Sequence, residues 1–311
     1  MFPALNQRKT GRFSLRWRVF FRRLFYFLVV FMGVWFIAVQ AGCLAMRTPD
    51  REWVKKLREQ GQTLTPRFCD IPDRDGRLIH AVSVSAADSL PWVVMVHGSP
   101  GASDAYLDYL ADTLLSARVN MLSIDRPGFG YTQGFGRPEP SIEVQAAAVQ
   151  AVVAQIAPGR EVFLVGHSLG GPVIARFAMD YPGQTAGLIL VAASIDPDLE
   201  EHPFWQSAID PPPLKWLIPK SFWASNYEIR ALEGELRKML PLWEGIRCPV
   251  AVIHAQDDSL VPVGNADFAM KMLVHATGLS VEIMPDGDHF ILWSRREKIR
   301  KAILDMVAGD R

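Results

Sequence analysis

Short apolar runs alternate with helical segments along most of the chain, and this alternation constrains the fold more than any other feature. The run WVVMV at residues 92–96 contains no polar side chain, as expected of a strand that is covered on both faces. Further strands are predicted at 119–124, 162–165, 187–192, 250–254 and 281–284, and helices at 106–117, 142–156, 169–181, 266–274 and 295–307. Repeated β–α–β units of this kind indicate an open, mostly parallel sheet with helices on its faces.

Two segments depart from this rhythm. Residues 68–71 and 78–84 predict a hairpin around Asp75-Gly76. Residues 194–245 are rich in proline and tryptophan and are too long for an ordinary loop. We expect this insertion to form a small helical lid over a pocket within one domain at 67–311, the alternative being an insertion without a role.

The N-terminal part predicts a membrane anchor. Residues 1–23 carry seven basic side chains and no acid, and residues 24–39 carry no charge, with a weaker apolar continuation to Met46. A membrane-spanning helix needs roughly 20 such residues. We therefore expect a basic cytoplasmic tail at 1–23, a transmembrane signal anchor at 24–46 and a linker at 47–66 with a helix at 50–60. The body would lie on the far, periplasmic or extracytoplasmic side.

Two other fates of this segment stay open at the level of sequence. A cleaved signal peptide would give a secreted protein. A lipid on Cys43, which follows Gly42 at the end of the apolar run, would give a lipid-anchored one.

Charge and cysteine content exclude several functions. Seven of the 33 basic side chains lie in residues 1–23, so the remainder holds 26 basic and 33 acidic side chains, a formal charge of −7. An acidic body argues against a nucleic acid as partner. The three cysteines, Cys43, Cys69 and Cys248, form neither a disulfide framework nor a metal-binding pattern. We expect no metal and no cofactor, and no feature indicates an oligomeric state.

The motif that carries chemistry is G-H-S-L-G at residues 166–170. It follows a predicted strand and begins a predicted helix, and the turn between them would expose Ser168 as a nucleophile. A serine hydroxyl needs a base, and the base needs a carboxylate that orients it. The backbone N–H of Leu169 would stabilise the developing oxyanion.

The base and the acid should follow later strands, in the chain order serine, acid, histidine. His289 lies in a loop after the last strand, whereas His275 lies near the end of a predicted helix. The acid should follow the strand at 250–254, where Asp257 and Asp258 both qualify, and Asp196 after the preceding strand is a third candidate. His289 is the favoured base.

The second oxyanion donor is expected in the loop His97-Gly98-Ser99-Pro100-Gly101, directly after the WVVMV strand. Its glycines and proline are typical of a tight turn that exposes backbone N–H groups. We assign the donor to Ser99, the alternative being a turn without chemistry.

Five motifs together resemble the α/β-hydrolase superfamily: HGSPG (97–101), DRPGFG (125–130), GHSLG (166–170), DDSLVP (257–262) and GDHF (287–290). The resemblance implies an eight-stranded sheet with a lid after the sixth strand. It favours Asp258 as the acid, because two residues and then Val-Pro follow it, and it gives residues 125–130 a structural role. It also places Cys69 and Cys248 several strands apart, so we expect no disulfide between them.

The resemblance implies a serine hydrolase that cleaves a carboxylic ester or related acyl bond of a small-molecule or lipid-like substrate through an acyl-enzyme. Epoxide hydrolases and haloalkane dehalogenases share the implied fold and the H-G-x-P loop but have an aspartate where this chain has Ser168, which argues against those two activities. Lipase, proline-releasing aminopeptidase, carbon–carbon bond hydrolase and acyltransferase activities stay open. The alternative of another class is a membrane-anchored, non-catalytic binding protein on the same scaffold.

Overall fold

The computed structural model describes residues 15–42, 45–201, 206 and 214–309. Eight strands form one sheet in the order β1-β2-β4-β3-β5-β6-β7-β8. They are β1 Arg67–Pro72, β2 Leu78–Val84, β3 Trp92–Val96, β4 Asn120–Ile124, β5 Val162–His167, β6 Thr185–Val191, β7 Val250–Ala255 and β8 Leu279–Met284. Strand β2 is antiparallel to both its neighbours, and all other pairs are parallel. The predicted eight-stranded, mostly parallel sheet is confirmed.

Helices cover both faces of the sheet. The helices in the described part of the chain are α1 Leu15–Gln40, α2 Asp50–Glu59, α3 Leu107–Leu110, α4 Thr113–Ser116, α5 Ile142–Ile156, α6 Gly170–Asp180, α7 Lys220–Met239, α8 Gly264–Met272, α9 Ile291–Ser294 and α10 Arg296–Ala308. Helices α5, α6 and α8 pack on one face, and α2, α3 and α10 pack on the other. Strands β3 and β4 are therefore buried along their whole length, which explains why their sequences do not alternate.

The single helix predicted at 106–117 is wrong. A 3-10 turn at Ser103–Tyr106 leads into α3, and α4 begins only after Asp112. The Asp112 carboxylate accepts hydrogen bonds from the backbone N–H groups of Leu114 and Leu115. In a continuous helix these N–H groups would donate to backbone carbonyls of the preceding turn. Because the Asp112 carboxylate accepts them instead, a new helix begins here and the segment is split in two.

The N-terminal helix is displaced from the predicted span of 24–46. Helix α1 begins at Leu15 and ends at Gln40, and Gly42 adopts φ 75° just beyond it. Arginine is a good helix former, so the helix begins among the basic residues, before the apolar stretch. It ends before Met46 because Gly42 adopts a left-handed backbone conformation, which commonly terminates a helix. A stretch of 18 residues within Trp17–Gln40 has a mean hydropathy of 1.8, and this part of α1 is long and apolar enough to cross a membrane. Cys43 and residues 1–14 lie outside the described residues.

The insertion between β6 and β7 is helical in the part that the structure describes. It contains α7, with 3-10 turns at Pro197–Leu199, Leu214–Leu217 and Leu240–Gly245. Buried residues of α7 such as Leu232 and Leu236 join the main core, so this helix packs on the body. Pro203, Trp205 and residues 211–213 of the insertion lie outside the described residues.

The two described cysteines are far apart in the sheet. Cys69 lies on β1 at one edge, and Cys248 lies just before β7. Five strands separate β1 from β7, and both thiols are free. The predicted placement several strands apart is confirmed.

Candidate active site

Ser168 sits on a sharp turn between β5 and α6. Its φ is 54°, which is unusual for a residue with a side chain. The turn is compact, because a β-carbon on Gly170 would stand only 2.2 Å from the carbonyl oxygen of Val96. The backbone N–H of Ser168 donates to the carbonyl of Val191 at the end of β6. The side chain is thereby presented at the carboxyl edge of the central strands.

A carboxylate and an imidazole meet at the same edge. Asp258 follows β7 and His289 follows β8, and parallel neighbouring strands end side by side. His289 Nδ1 lies 2.8 Å from Asp258 Oδ2. The other carboxylate oxygen accepts the backbone N–H groups of Leu260 and Val261 at 2.9 and 2.8 Å. These contacts hold the Asp258 carboxylate, whose side chain is fully buried, in one orientation.

The charge state of Asp258 follows from these contacts. Burial alone would raise its pKa, but the hydrogen bonds from His289, Val261 and Leu260 outweigh burial and bring the pKa below its ordinary value. Asp258 is therefore a carboxylate and can only accept hydrogen bonds. His289 Nδ1 therefore carries the proton of the shared bond, and in the neutral form of this ring Nε2 has a free lone pair.

The other candidate acids and base are not brought to this place. Asp257 is exposed, and His275 is exposed in a turn beyond α8. The Asp196 carboxylate accepts the backbone N–H of Asp198 and so caps a local 3-10 turn. Among the predicted candidates, Asp258 alone hydrogen-bonds to the predicted base.

His167 links the imidazole to the nucleophile turn. Its Nε2 donates to the carbonyl of His289 at 3.0 Å, and the two ring centroids are 4.8 Å apart. Burial, helped by the neighbouring His289, lowers the pKa of His167 to about 4, so this ring is neutral at pH 7. Since His167 directly precedes Ser168, His289 packs against the residue next to the nucleophile. Within the described part of the chain, no hydrogen bond joins Ser168 Oγ to the His289 ring.

The expected oxyanion donors flank Ser168. A β-carbon on Gly98 would stand 2.9 Å from the Ser168 β-carbon, so the loop after β3 lies against the nucleophile. Among the described residues, the backbone N–H groups of Ser99 and Leu169 donate to no protein acceptor. Two N–H groups near the serine are therefore available to a ligand.

A buried polar cluster beneath this loop was missed by the sequence reasoning. Glu228 of helix α7 accepts a hydrogen bond from Ser99 Oγ at 2.8 Å and pairs with Arg126 at 3.1 Å. Gln145 Nε2 donates to Glu228 as well, at 3.0 Å. Arg126 in turn donates to the carbonyls of His97 and Gly98 at 2.9 and 2.8 Å. We call these residues the loop-anchoring cluster: Ser99, Arg126, Gln145 and Glu228.

The charged pair of the loop-anchoring cluster is isolated from solvent. Arg126 and Glu228 have side-chain exposures of 0% and 1%. Burial raises the pKa of Glu228 and lowers that of Arg126, while each partner opposes the shift in the other. Arg126 lies within the DRPGFG motif, whereas no local pattern marks Glu228, because its partners are contributed by distant segments.

A second imidazole supports the acid. His254 at the end of β7 donates from Nε2 to the carbonyl of Val261, and the same atom lies 3.5 Å from Asp258 Oδ2. Burial lowers the pKa of His254, so the ring is neutral. The His254 ring therefore holds the turn whose backbone N–H groups bind Asp258. In the sequence, the only sign of this role is that His254 lies four residues before Asp258.

Known proteins share this architecture. A model described as the alpha/beta hydrolase family matches residues 93–302, more than half of the chain. The chain is 22% identical over 287 residues to a 2-hydroxy-6-oxononadienedioate/2-hydroxy-6-oxononatrienedioate hydrolase of Klebsiella pneumoniae, covering 80% of this chain and 98% of that protein. It is 21% identical over 260 residues to a monoacylglycerol lipase of Homo sapiens, covering 70% and 76%.

A solved structure of a membrane phospholipase A, a bacterial virulence factor, superposes with a TM-score of 0.62 at 20% identity, covering 94% of this chain and 99% of that one. The order of strands in the sheet and the turn at Ser168 are those expected of the family whose model matches. This chain belongs to the alpha/beta hydrolase family.

Proposed function

We propose that this protein is a serine hydrolase that cleaves a carboxylic ester or a related acyl bond. The observation that carries the proposal is the buried hydrogen bond between His289 and Asp258, set beside the nucleophile turn of Ser168. A serine, an imidazole and a fixed carboxylate are the three groups that acyl transfer at neutral pH requires.

The proposed reaction has two steps. Ser168 Oγ attacks the acyl carbon while His289 Nε2 accepts the hydroxyl proton, and the N–H groups of Ser99 and Leu169 bind the oxyanion. The carbonyl re-forms as the alcohol leaves with the proton from His289. Water then attacks the acyl-enzyme and gives a proton to the same nitrogen. His289 passes this proton to Ser168 Oγ as the carboxylic acid leaves, which regenerates the Ser168 hydroxyl.

Covalent labelling tests this assignment. A fluorophosphonate probe should modify wild-type protein at Ser168, as seen by peptide mass mapping, because phosphonylation uses the same nucleophile and base. Ser168→Ala should abolish labelling, whereas Ser259→Ala, which removes an exposed serine near the site, should label like wild type. A folded wild type that never labels would favour the non-catalytic binding protein instead.

We propose a lipid-like acyl substrate and attachment to a membrane through α1. The likeness to a monoacylglycerol lipase supports the first point, and the exposed apolar face of α1 supports the second. Arg18, Arg22 and Arg23 lie at the amino-terminal end of α1, and such residues favour the cytoplasmic side. The hydrolase body would then lie across the membrane.

Removing residues 1–46 should release a soluble body that the probe still labels. The apolar surface of α1 accounts for membrane retention, while the body loses only a few contacts with the end of that helix. Full-length protein should stay in the membrane fraction after alkaline carbonate extraction, and the truncated protein should not. A truncated protein that still sediments with membranes would show that another face binds lipid.

A further inference from the structure

The end of α1 is fastened to the insertion. Trp35 Nε1 donates to the carbonyl of Leu217 at 2.8 Å, and the Gln40 amide donates to the carbonyl of Trp216 at 3.1 Å. Trp35 belongs to the apolar stretch itself, about 7 Å along the axis before the helix ends at Gln40. If α1 spans a bilayer, the turn Leu214–Leu217 must lie at the depth where the bilayer meets water.

The side chains at this place suit that depth. Leu214, Trp216 and Phe222 are 48%, 51% and 46% exposed, although they are large and apolar. Tryptophan and phenylalanine are favoured at the boundary between lipid chains and headgroups. The insertion thus offers apolar contacts to the membrane beside the point where the chain leaves it.

A cleft of about 360 Å³ opens between the end of α1, the loop at 135–138 and the insertion. We call it the interfacial cleft. Its described lining includes three basic side chains, Arg137, Lys215 and Lys220, and no acidic one. The Lys215 ammonium lies 4.3 Å from the centroid of the Trp223 ring, and the Lys220 stem packs against Gly136. Trp216 and Phe135 complete its apolar walls.

The basic side chains of the interfacial cleft have no acidic partner among the described residues. In the parts of the chain that the structure describes, Arg137, Lys215 and Lys220 form no ion pair with a carboxylate. Three cations around one cleft repel each other, and an anion between them would relieve this repulsion. At the edge of a bilayer, the anion that lies next to apolar groups is the phosphate of a phospholipid headgroup. Clusters of basic residues near a membrane surface bind anionic lipids.

We propose that the interfacial cleft binds the headgroup phosphate of an anionic phospholipid in the leaflet that faces the hydrolase body. The bound lipid seats the insertion on the membrane surface, so the site at Ser168 draws its acyl substrate from that leaflet. This inference rests on the proposed function, because it requires α1 to span the membrane and the body to be a hydrolase.

Lipid retention by the full-length protein tests the inference. Protein in mixed micelles would be titrated with dioleoyl phosphatidylglycerol, dioleoyl phosphatidylcholine or inorganic phosphate, and bound species counted by native mass spectrometry. Wild type should retain one phosphatidylglycerol in preference to phosphatidylcholine. The triple variant Arg137→Gln, Lys215→Gln, Lys220→Gln should bind it about 100-fold more weakly, since each basic side chain near an anionic surface contributes about fivefold.

A matched variant controls for the loss of three charges. Arg118→Gln, Arg247→Gln, Lys271→Gln removes exposed basic residues elsewhere on the body and should retain phosphatidylglycerol like wild type. Thermal melting of both triple variants shows whether they are folded. If the cleft variant melts at a lower temperature than wild type, the single variant Lys220→Gln replaces it, with an expected loss of affinity for phosphatidylglycerol of about fivefold.

Three results would overturn the lipid site: equal retention of phosphatidylcholine, displacement of the lipid by millimolar inorganic phosphate, or unchanged retention in the folded cleft variant. Probe labelling of Ser168 and carbonate extraction are measured separately on wild type. A protein that labels and stays in the membrane but retains no lipid would reject the interfacial cleft alone.

Discussion

Asp258→Asn should lower kcat for an acyl ester by about 10⁴-fold, the loss seen when asparagine replaces the aspartate of a serine–histidine pair. The asparagine amide can donate to His289 Nδ1 as well as accept from it. The imidazole can then place its proton on Nε2, the atom that must accept the proton of Ser168. The measurement is steady-state hydrolysis of a chromogenic ester by the full-length protein in detergent.

The neighbouring residue provides a matched control. Asp257 is exposed, whereas Asp258 is buried against His289, so Asp257→Asn should change kcat by less than about twofold, as for most surface substitutions. Both changes remove one negative charge from the same turn, and only the contact with the imidazole differs. The reverse ranking would mean that Asp257 serves as the acid.

Glu228→Gln should both destabilise the protein and slow the reaction. Arg126 would keep its charge in a fully buried place without a carboxylate, and breaking a buried pair costs about 3–5 kcal/mol of unfolding free energy. Ser99 would also lose its charged acceptor, so its N–H would no longer be held for the oxyanion. Loss of one such donor lowers kcat by about 10²-fold or more, with little change in KM. Urea unfolding and ester kinetics measure the two effects.

Two further variants separate charge burial from loop positioning. Glu233→Gln on the same helix removes a solvent-facing pair with Arg237, which should leave both the free energy of unfolding and kcat nearly unchanged. The double variant Arg126→Leu, Glu228→Leu should recover stability, because no lone charge is left buried. It should stay slow, because the bonds from Arg126 to the His97 and Gly98 carbonyls are absent. Full recovery of kcat would show that the cluster only stabilises the fold.

The sequence predicted those parts of the fold that local patterns specify. Strand β3 reads as an apolar run because both of its faces are covered, and the alternation of strand and helix segments along the chain was enough to predict the parallel sheet. The break at Asp112 was not predicted, because an aspartate in an amphipathic segment can cap a helix or lie within one. The start of α1 was also missed, since its arginines suit a helix as well as a solvated tail.

The candidate site was predictable where chemistry follows a motif. Ser168 and Asp258 stand in short patterns, and the structure brings Asp258 and His289 together. Glu228 stands in no pattern. Its partners Ser99 and Arg126 are more than 100 residues away along the chain, and its role depends on how α7 packs against the body. A glutamate on an amphipathic helix is indistinguishable, by sequence alone, from one that faces water.

The attachment of α7 through Glu228 bears on protein engineering. Insertions of hydrolases are attractive parts to exchange when a new substrate range is sought. A graft that lacks a carboxylate at this position would leave the Arg126 guanidinium of the recipient unneutralised inside the body. A chimaera built on this scaffold should therefore carry its own glutamate at the equivalent turn of the helix, or the recipient arginine should be replaced in the same step.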